Sequence, residues 1–166
     1  SSDHLHHMFT NLIRTMSTAI TKKGVTYSKE TGEIFSCLFC RIQKRIEPGT
    51  IEYEDDDYVV FRTIIPMTSY HVLVTPREHI KNLKEIPKNL EGAKLLYRLK
   101  QTGIKTLLKE FNNDIKVAES AQYCFHVPPY NSIDHLHLHA IAYPETISYI
   151  NSWKYPSSDS FYCAHV

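Results

Sequence analysis

The stretch His135-Leu136-His137-Leu138-His139-Ala140-Ile141-Ala142 constrains this chain more tightly than any other. Successive side chains of an extended strand point to opposite faces, so His135, His137 and His139 share one face while Leu136, Leu138 and Ala140 share the other. The apolar side is built for a core. Strand packing favours Thr, Ser or Lys at the alternate positions and gives no reason for imidazole three times in succession. Imidazole serves proton transfer, nucleophilic attack and metal ligation, because an ordinary pKa of about 6.5 leaves a neutral nitrogen at neutral pH. Catalysis and metal binding are both open from this stretch alone.

The remaining chain narrows the setting. With 166 residues, 42% hydrophobic and 22% charged, it has the material for one soluble domain with its own core. A formal net charge of +1 gives no broad electrostatic footprint for nucleic acid. No run approaches the roughly 18 apolar residues of a membrane span, and no signal-peptide pattern is visible. A soluble protein of the cytoplasm, or also of the nucleus, is expected, with no membrane or nucleic-acid partner. In that setting Cys37, Cys40, Cys124 and Cys163 read as thiols or metal ligands rather than a disulfide framework. The spacing Cys37-Leu38-Phe39-Cys40 is half a zinc site, and equally that of a redox pair.

Residues 1–33 read as an N-terminal extension and 34–166 as the main domain with its C-terminal tail packed on it. Phe9, Leu12, Ile13, Met16 and Ile20 recur at helical spacing, which predicts an amphipathic helix broken by Gly24. From Phe39 the pattern turns to short strands, with 41–46 running into the Pro48-Gly49 turn. Residues 51–54 and 58–62 read as a hairpin around the solvated corner Asp55-Asp56-Asp57, and 70–75 as a central strand ended by Pro76. Ile80, Leu83 and Ile86 suggest a helical turn. The longest helical pattern runs from Pro87 to Phe111, with Gly103 marking a close packing contact, and Asn112-Asn113-Asp114 ends it. Residues 115–119 and 122–127 then read as strands. Pro128-Pro129-Tyr130-Asn131-Ser132 is a rigid connection into the histidine strand, rich in donors that suit an anion.

Three separated motifs now stand in order: Cys37-Leu38-Phe39-Cys40-Arg41-Ile42, then the run from His71 through Pro76 to His79-Ile80, then His135 to Ile141. Together they resemble the histidine triad superfamily over roughly residues 36–162. Phe125-His126-Val127-Pro128-Pro129 and Asn151-Ser152-Trp153 are most similar to the third type of the Hint branch. The resemblance implies an α+β domain with an antiparallel sheet of about five strands, one long helix and a shorter one. It further implies a homodimer that hydrolyses the phosphorus–nitrogen bond of AMP conjugates.

By the same resemblance His137 is the nucleophile, leaving a nucleotidyl-imidazole that water cleaves. His139 donates to the phosphate oxygens, Ser132 contacts phosphate or leaving group, and His71 gives support from the neighbouring strand. Thr63, Ile64, His126 and Asn131 join Ser132, His137 and His139 around the nucleotide. Thr63, after Arg62, stands where related proteins carry an acidic residue for the ribose, and a hydroxyl lacks the charge-assisted bidentate grip of a carboxylate. Zinc on Cys37, Cys40, His79 and His135 is implied by zinc-containing members, with a structural role.

Two other readings stay open. One is an aprataxin-like enzyme that removes AMP from adenylated DNA 5′ ends, which the small net charge and the lack of a C-terminal zinc finger disfavour. The other is a non-catalytic module binding zinc and nucleotide, since His-x-His on a strand is also a metal chelate.

Overall fold

The computed structural model describes residues 18–166 together with Leu5 and Met8. The helix expected from Phe9 lies outside the described residues except at its end, where Ile20 belongs to a strand instead. Strands β1 (Ala19–Lys22) and β2 (Val25–Ser28) form an antiparallel hairpin. Lys23 and Gly24 at its tip have φ of 48° and 68°, the positive values that a tight two-residue hairpin turn requires at both central positions. Strand β3 (Ile34–Cys37) pairs with β2 and completes a three-stranded sheet.

The chain then enters helix α1 (Leu38–Gln43), where a strand was expected over 41–46. Phe39, Ile42 and Gln43 are its buried residues, an i, i+3, i+4 set that only a helix gathers on one side. Strands β4 (Ile51–Glu54) and β5 (Tyr58–Arg62) form the expected hairpin, and the fully buried β6 (His71–Pro76) is the expected central strand. Of the turn expected at 80–86, a single 3-10 turn at Leu83–Glu85 is realised.

Helix α2 (Leu90–Glu110) starts at an Asn89 side chain that accepts from the Gly92 N–H, the usual N-cap bond. It ends at Asn112 and Asn113, both at positive φ, which Asn tolerates better than most residues. Residues 115–119 are not a strand: α3 (Ile115–Ser120) is a helix capped by Asp114, whose side chain accepts from the Lys116 N–H. Strands β7 (Gln122–His126) and β8 (Leu138–Ile141) follow, then the short helix α4 (Tyr149–Ser152) and strand β9 (Cys163–His165).

The main sheet has six strands in the order β4-β5-β6-β8-β7-β9, every pair antiparallel. The addition to the expected set is β9, three residues of an irregular tail. One face packs on α2, with Val72, Val74, Leu136, Leu138 and Ala140 against Leu99 and Leu107. A Cβ on Gly103 would lie 3.3 Å from Ala140 Cβ and 3.4 Å from Val74 Cγ2, so the helix crosses the sheet centre closely at this glycine. The expected partition of the histidine stretch holds, since Leu136, Leu138 and Ala140 all enter this core. The regular strand begins only at Leu138, and His135 and His137 lie in the segment leading into it. The opposite face is covered by α1 through Phe39 and Ile42 against Val59, Phe61 and Leu73. Farther along, Tyr155 and Cys163 of the C-terminal segment pack on Cys124 and Ile141. Among the described residues no helix is long and apolar enough to cross a membrane.

Candidate active site

The register of β6 on β8 places Leu73 opposite His139 and His71 opposite Ile141, so His71 and His139 are diagonal neighbours on one face. Hydrogen-bond direction fixes their protons. The backbone N–H of Met67 donates to His71 Nδ1 at 3.2 Å, so the proton of neutral His71 sits on Nε2. That nitrogen lies 2.9 Å from His139 Nδ1 and donates to it. The proton of His139 is therefore on its own Nε2, which is buried and without a partner. An unpartnered buried donor costs roughly 1–3 kcal/mol, and an incoming anionic oxygen would relieve it.

His137 has the opposite tautomer. Its Nδ1–H donates to the backbone carbonyl of His135 at 2.6 Å, which leaves a lone pair on Nε2. The Phe39 ring of α1 meets it edge-on at 5.2 Å between centroids. Burial pushes His137 down to about 4 and His71 down to about 3, and holds His139 well below the usual histidine range. All three are neutral at pH 7. On β7, His126 donates from Nε2 to the Lys154 carbonyl at 3.1 Å and lies 4.4 Å from His139 between ring centroids. Its pKa is also lowered, first by burial.

The loop entering this stretch is held from within. Asn131, 5% exposed, donates from Nδ2 to Asp134 Oδ1 at 3.0 Å and to the Ile133 carbonyl at 3.1 Å, while its Oδ1 accepts from Lys23 Nζ at 2.9 Å. In this structure the amide that was expected at the nucleotide is engaged in the loop's own hydrogen bonds. Ser132 is exposed and lies outside the hydrogen-bonded chain of histidines. Thr63 donates its N–H to the His71 carbonyl at 3.3 Å, and its hydroxyl accepts from the Ile65 N–H at 3.3 Å. Ile64 beside it is 94% exposed.

A second cluster joins the ends of β3 and β6. Cys37 closes β3, Cys40 lies within α1, His79 follows β6 and His135 opens the histidine stretch. Their ligand atoms all lie within 4.8 Å of one another. Cys37 Sγ to His135 Nδ1, Cys40 Sγ to His135 Nδ1 and Cys40 Sγ to His79 Nδ1 are each 3.5 Å. Tetrahedral zinc, with Zn–S of about 2.3 Å and Zn–N of about 2.05 Å, sets a sulfur–nitrogen edge of about 3.6 Å, so this donor set fits the ion. His135 donates its other nitrogen, Nε2, to the Pro76 carbonyl at 2.9 Å, the outer bond typical of a ligating histidine. His79 Nε2 is buried without such a partner. The Cys37 thiol is held far below the usual range, foremost by its hydrogen bond with Cys40, and the same bond pushes Cys40 up. Thiolate is the form in which cysteine ligates metal.

Residues 36–152 match the family model described as scavenger mRNA decapping enzyme C-term binding. The chain is 33% identical over 133 residues to adenosine 5′-monophosphoramidase HINT3 of Xenopus tropicalis, covering 80% of this chain and 84% of that protein. It belongs to the histidine triad family. A HIT family hydrolase from Clostridium thermocellum superposes with a TM-score of 0.53 at 32% identity, covering 66% of this chain and 92% of that one. A Zn-bound histidine triad family protein from Mycobacterium smegmatis shares the fold, with a TM-score of 0.55 at 24% identity over 69% of this chain and 81% of that one.

Two parts of this histidine triad protein's site carry no motif in the sequence. Tyr155, 8% exposed, stands 5.2 Å from His139, 4.8 Å from His126 and 5.6 Å from His71 between ring centroids. Its signal is one aromatic residue in a Ser- and Pro-rich tail, too little to place it. The second is the β1–β2 hairpin, upstream of the residues that match the histidine triad model, which reaches the loop before His135 through Lys23.

Proposed function

We propose that this protein hydrolyses AMP conjugates at the phosphorus–nitrogen bond, through a covalent intermediate on His137. The observation that carries the reading is the pair of opposed tautomers: His137 presents a lone pair on Nε2, while His139 presents an unpartnered N–H. His137 Nε2 attacks the α-phosphorus, and the bond to the amine breaks as the nitrogen–phosphorus bond forms. The amine leaves with the bonding electron pair and takes up a proton. Water then attacks phosphorus and gives up a proton to solvent, replacing the one the amine consumed, while the phosphorus–nitrogen electron pair returns to His137 and AMP is released. Charge that builds on the non-bridging oxygens is met by the His139 N–H, which His71 and the Met67 amide hold in place. The name of the Xenopus tropicalis relative, an adenosine 5′-monophosphoramidase, supports the substrate class.

Ser132 contacts the phosphate or the leaving group in this reading, and Thr63 gives the ribose a weaker grip than a carboxylate would. Zinc held by Cys37, Cys40, His79 and His135 supplies a structural cross-link and no reacting group, because all four ligand positions are filled by protein. Association into a homodimer completes the proposal, with exposed Tyr97 and Ile115 on the outer surface of α2 and α3 as candidate contacts.

Purified protein incubated with an AMP-amine conjugate is expected to release AMP and to yield a nucleotidyl adduct on His137 by mass spectrometry. His137→Asn is expected to lower the rate by at least about 1000-fold. Retention of near-original activity by that variant would sink the assignment. A strong preference for adenylated nicked DNA over the amine conjugate would move the enzyme to the DNA-end class.

A further inference from the structure

The β1–β2 hairpin takes no part in the proposed chemistry, yet it grips the loop before His135 on both sides of Ser132. At the hairpin tip Lys23 donates from Nζ to Asn131 Oδ1 at 2.9 Å and to the Pro129 carbonyl, while its own carbonyl accepts from the Asp134 N–H at 2.9 Å. From β2, the Tyr27 hydroxyl donates to Asp134 Oδ2 at 3.0 Å. Lys81 Nζ stands 3.9 Å from the same carboxylate and over the Tyr27 ring, 5.3 Å from its centroid. Asn131 and Asp134 are each 5% exposed. The fit is close at the tip: a Cβ on Gly24 would lie 2.7 Å from Ile133 Cδ1. Positions 129, 131, 133 and 134 are thus all held by the hairpin, and Ser132 is left projecting between them.

We infer that the hairpin is a positioning clamp for the phosphate-side loop, with Lys23 as its positioning residue. Ammonium suits the task because one nitrogen with three donors satisfies two oxygens that face it from different directions, the Asn131 amide and the Pro129 carbonyl. Through Asn131 and Asp134 the same contact sets the backbone that leads into His135 and His137. Lys23 touches neither the reacting phosphorus nor the nucleophile. It acts by removing motion from the loop, and a misplacement of about 1 Å at such a distance can cost on the order of 100-fold in rate. The inference rests on the AMP-conjugate reading for its kinetic arm and on the loop itself for its structural arm.

The test compares the unmutated chain with Lys23→Met, Lys23→Arg and Tyr27→Phe on the AMP-amine conjugate, beside hydrogen–deuterium exchange of residues 129–135. Lys23→Met keeps an unbranched side chain out to the ε position and removes every donor. It is expected to lower kcat roughly tenfold or more while KM stays within about twofold, and to speed exchange at 129–135 while α2 exchanges as before. Lys23→Arg is expected to restore most of kcat, which a merely bulky role would not require. Should Lys23→Met fail to fold, Tyr27→Phe, which loses one hydroxyl, is expected to show the same kcat effect in milder form with the same local exchange. If either kcat or exchange at 129–135 stays at the unmutated value in the folded variant, the clamp is overturned. If the unmutated chain leaves the conjugate intact, the functional reading fails instead, and the exchange comparison alone decides the clamp.

Discussion

His71 shows how one backbone bond can set the chemistry of a side chain two rings away. The Met67 N–H selects its tautomer, that tautomer selects the one on His139, and the consequence is an N–H on His139 Nε2 that has no partner in the protein. His71→Phe fills a similar volume and removes the donor to His139 Nδ1. It is expected to lower kcat by about 10- to 100-fold with a smaller change in KM, measured on the AMP-amine conjugate. A kcat within twofold of the original would refute the relay. Neutrality has a second consequence, in stability. Burial, and then the charges of His126 and His137, push His71 to about 3, below the value near 6.5 of an unfolded histidine. Below pH 6.5 the unfolded chain takes up the proton first, so the stability present above that pH is lost as the pH falls towards 3. His71 alone costs about 1.4 kcal/mol per pH unit in this window, or about 2 kcal/mol at pH 5. Urea midpoints at pH 7 and pH 5 check this, and equal midpoints would contradict it.

At the level of elements, the four residues that could hold a metal come from β3, α1, the segment after β6 and the segment before β8, so a bound ion would tie the small sheet to the large one. Protein purified without chelator is expected to hold about one equivalent of zinc. Cys40→Ser should lose it and melt roughly 5–10 °C lower; zinc below about a tenth of an equivalent in the unmutated protein would argue against the site. Helix α2 offers an independent check at Gly103. Its neighbours Ala140 and Val74 are fully buried on the two central strands and have no free space to yield. Gly103→Val should therefore destabilise by about 2–3 kcal/mol, read from denaturant unfolding. These elements were legible in unequal degree. Strands β4, β5 and β6 alternate or run apolar between clear turn residues, and α2 is long enough for its period to be plain. The short segments 41–46 and 115–119 were misread as strands because apolar positions spaced over so few residues fit either periodicity. In the second, Asp114 as an N-cap was the overlooked sign. The Lys23-Gly24 turn was overlooked in favour of helical spacing upstream. That Cys37, Cys40, His79 and His135 would gather, and that His71 and His139 would meet, was legible because their residue types name their chemistry, whereas nothing in the sequence pairs Asn131 with Lys23, its partner 108 residues away.

Across the whole molecule, one face of the main sheet is given to α2, and the other gathers contributions from both ends of the described chain. The hairpin reaches the loop before His135 from one side, and the C-terminal segment lays Tyr155 on His71, His126 and His139 from another. Strand β9 fixes that segment by pairing with β7, where Cys163 lies opposite His126. The tail is therefore part of the environment that keeps the histidines uncharged. Burial is the first cause of the lowered His126 pKa, and Tyr155 is one of the rings that bury it. Tyr155→Ala would admit water beside His126, and desolvation would then oppose the charged form less. The His126 pKa is expected to rise towards 6.5, followed by the ring proton shifts of a pH titration in NMR. The acid limb of the activity profile should move to higher pH with it, because a charged His126 beside His139 disfavours the orderly neutral pair. Loss of a mostly buried aromatic ring should also cost about 3 kcal/mol in stability, seen in denaturant unfolding. A His126 titration that coincides in the two proteins would show that the tail shields the site without tuning it.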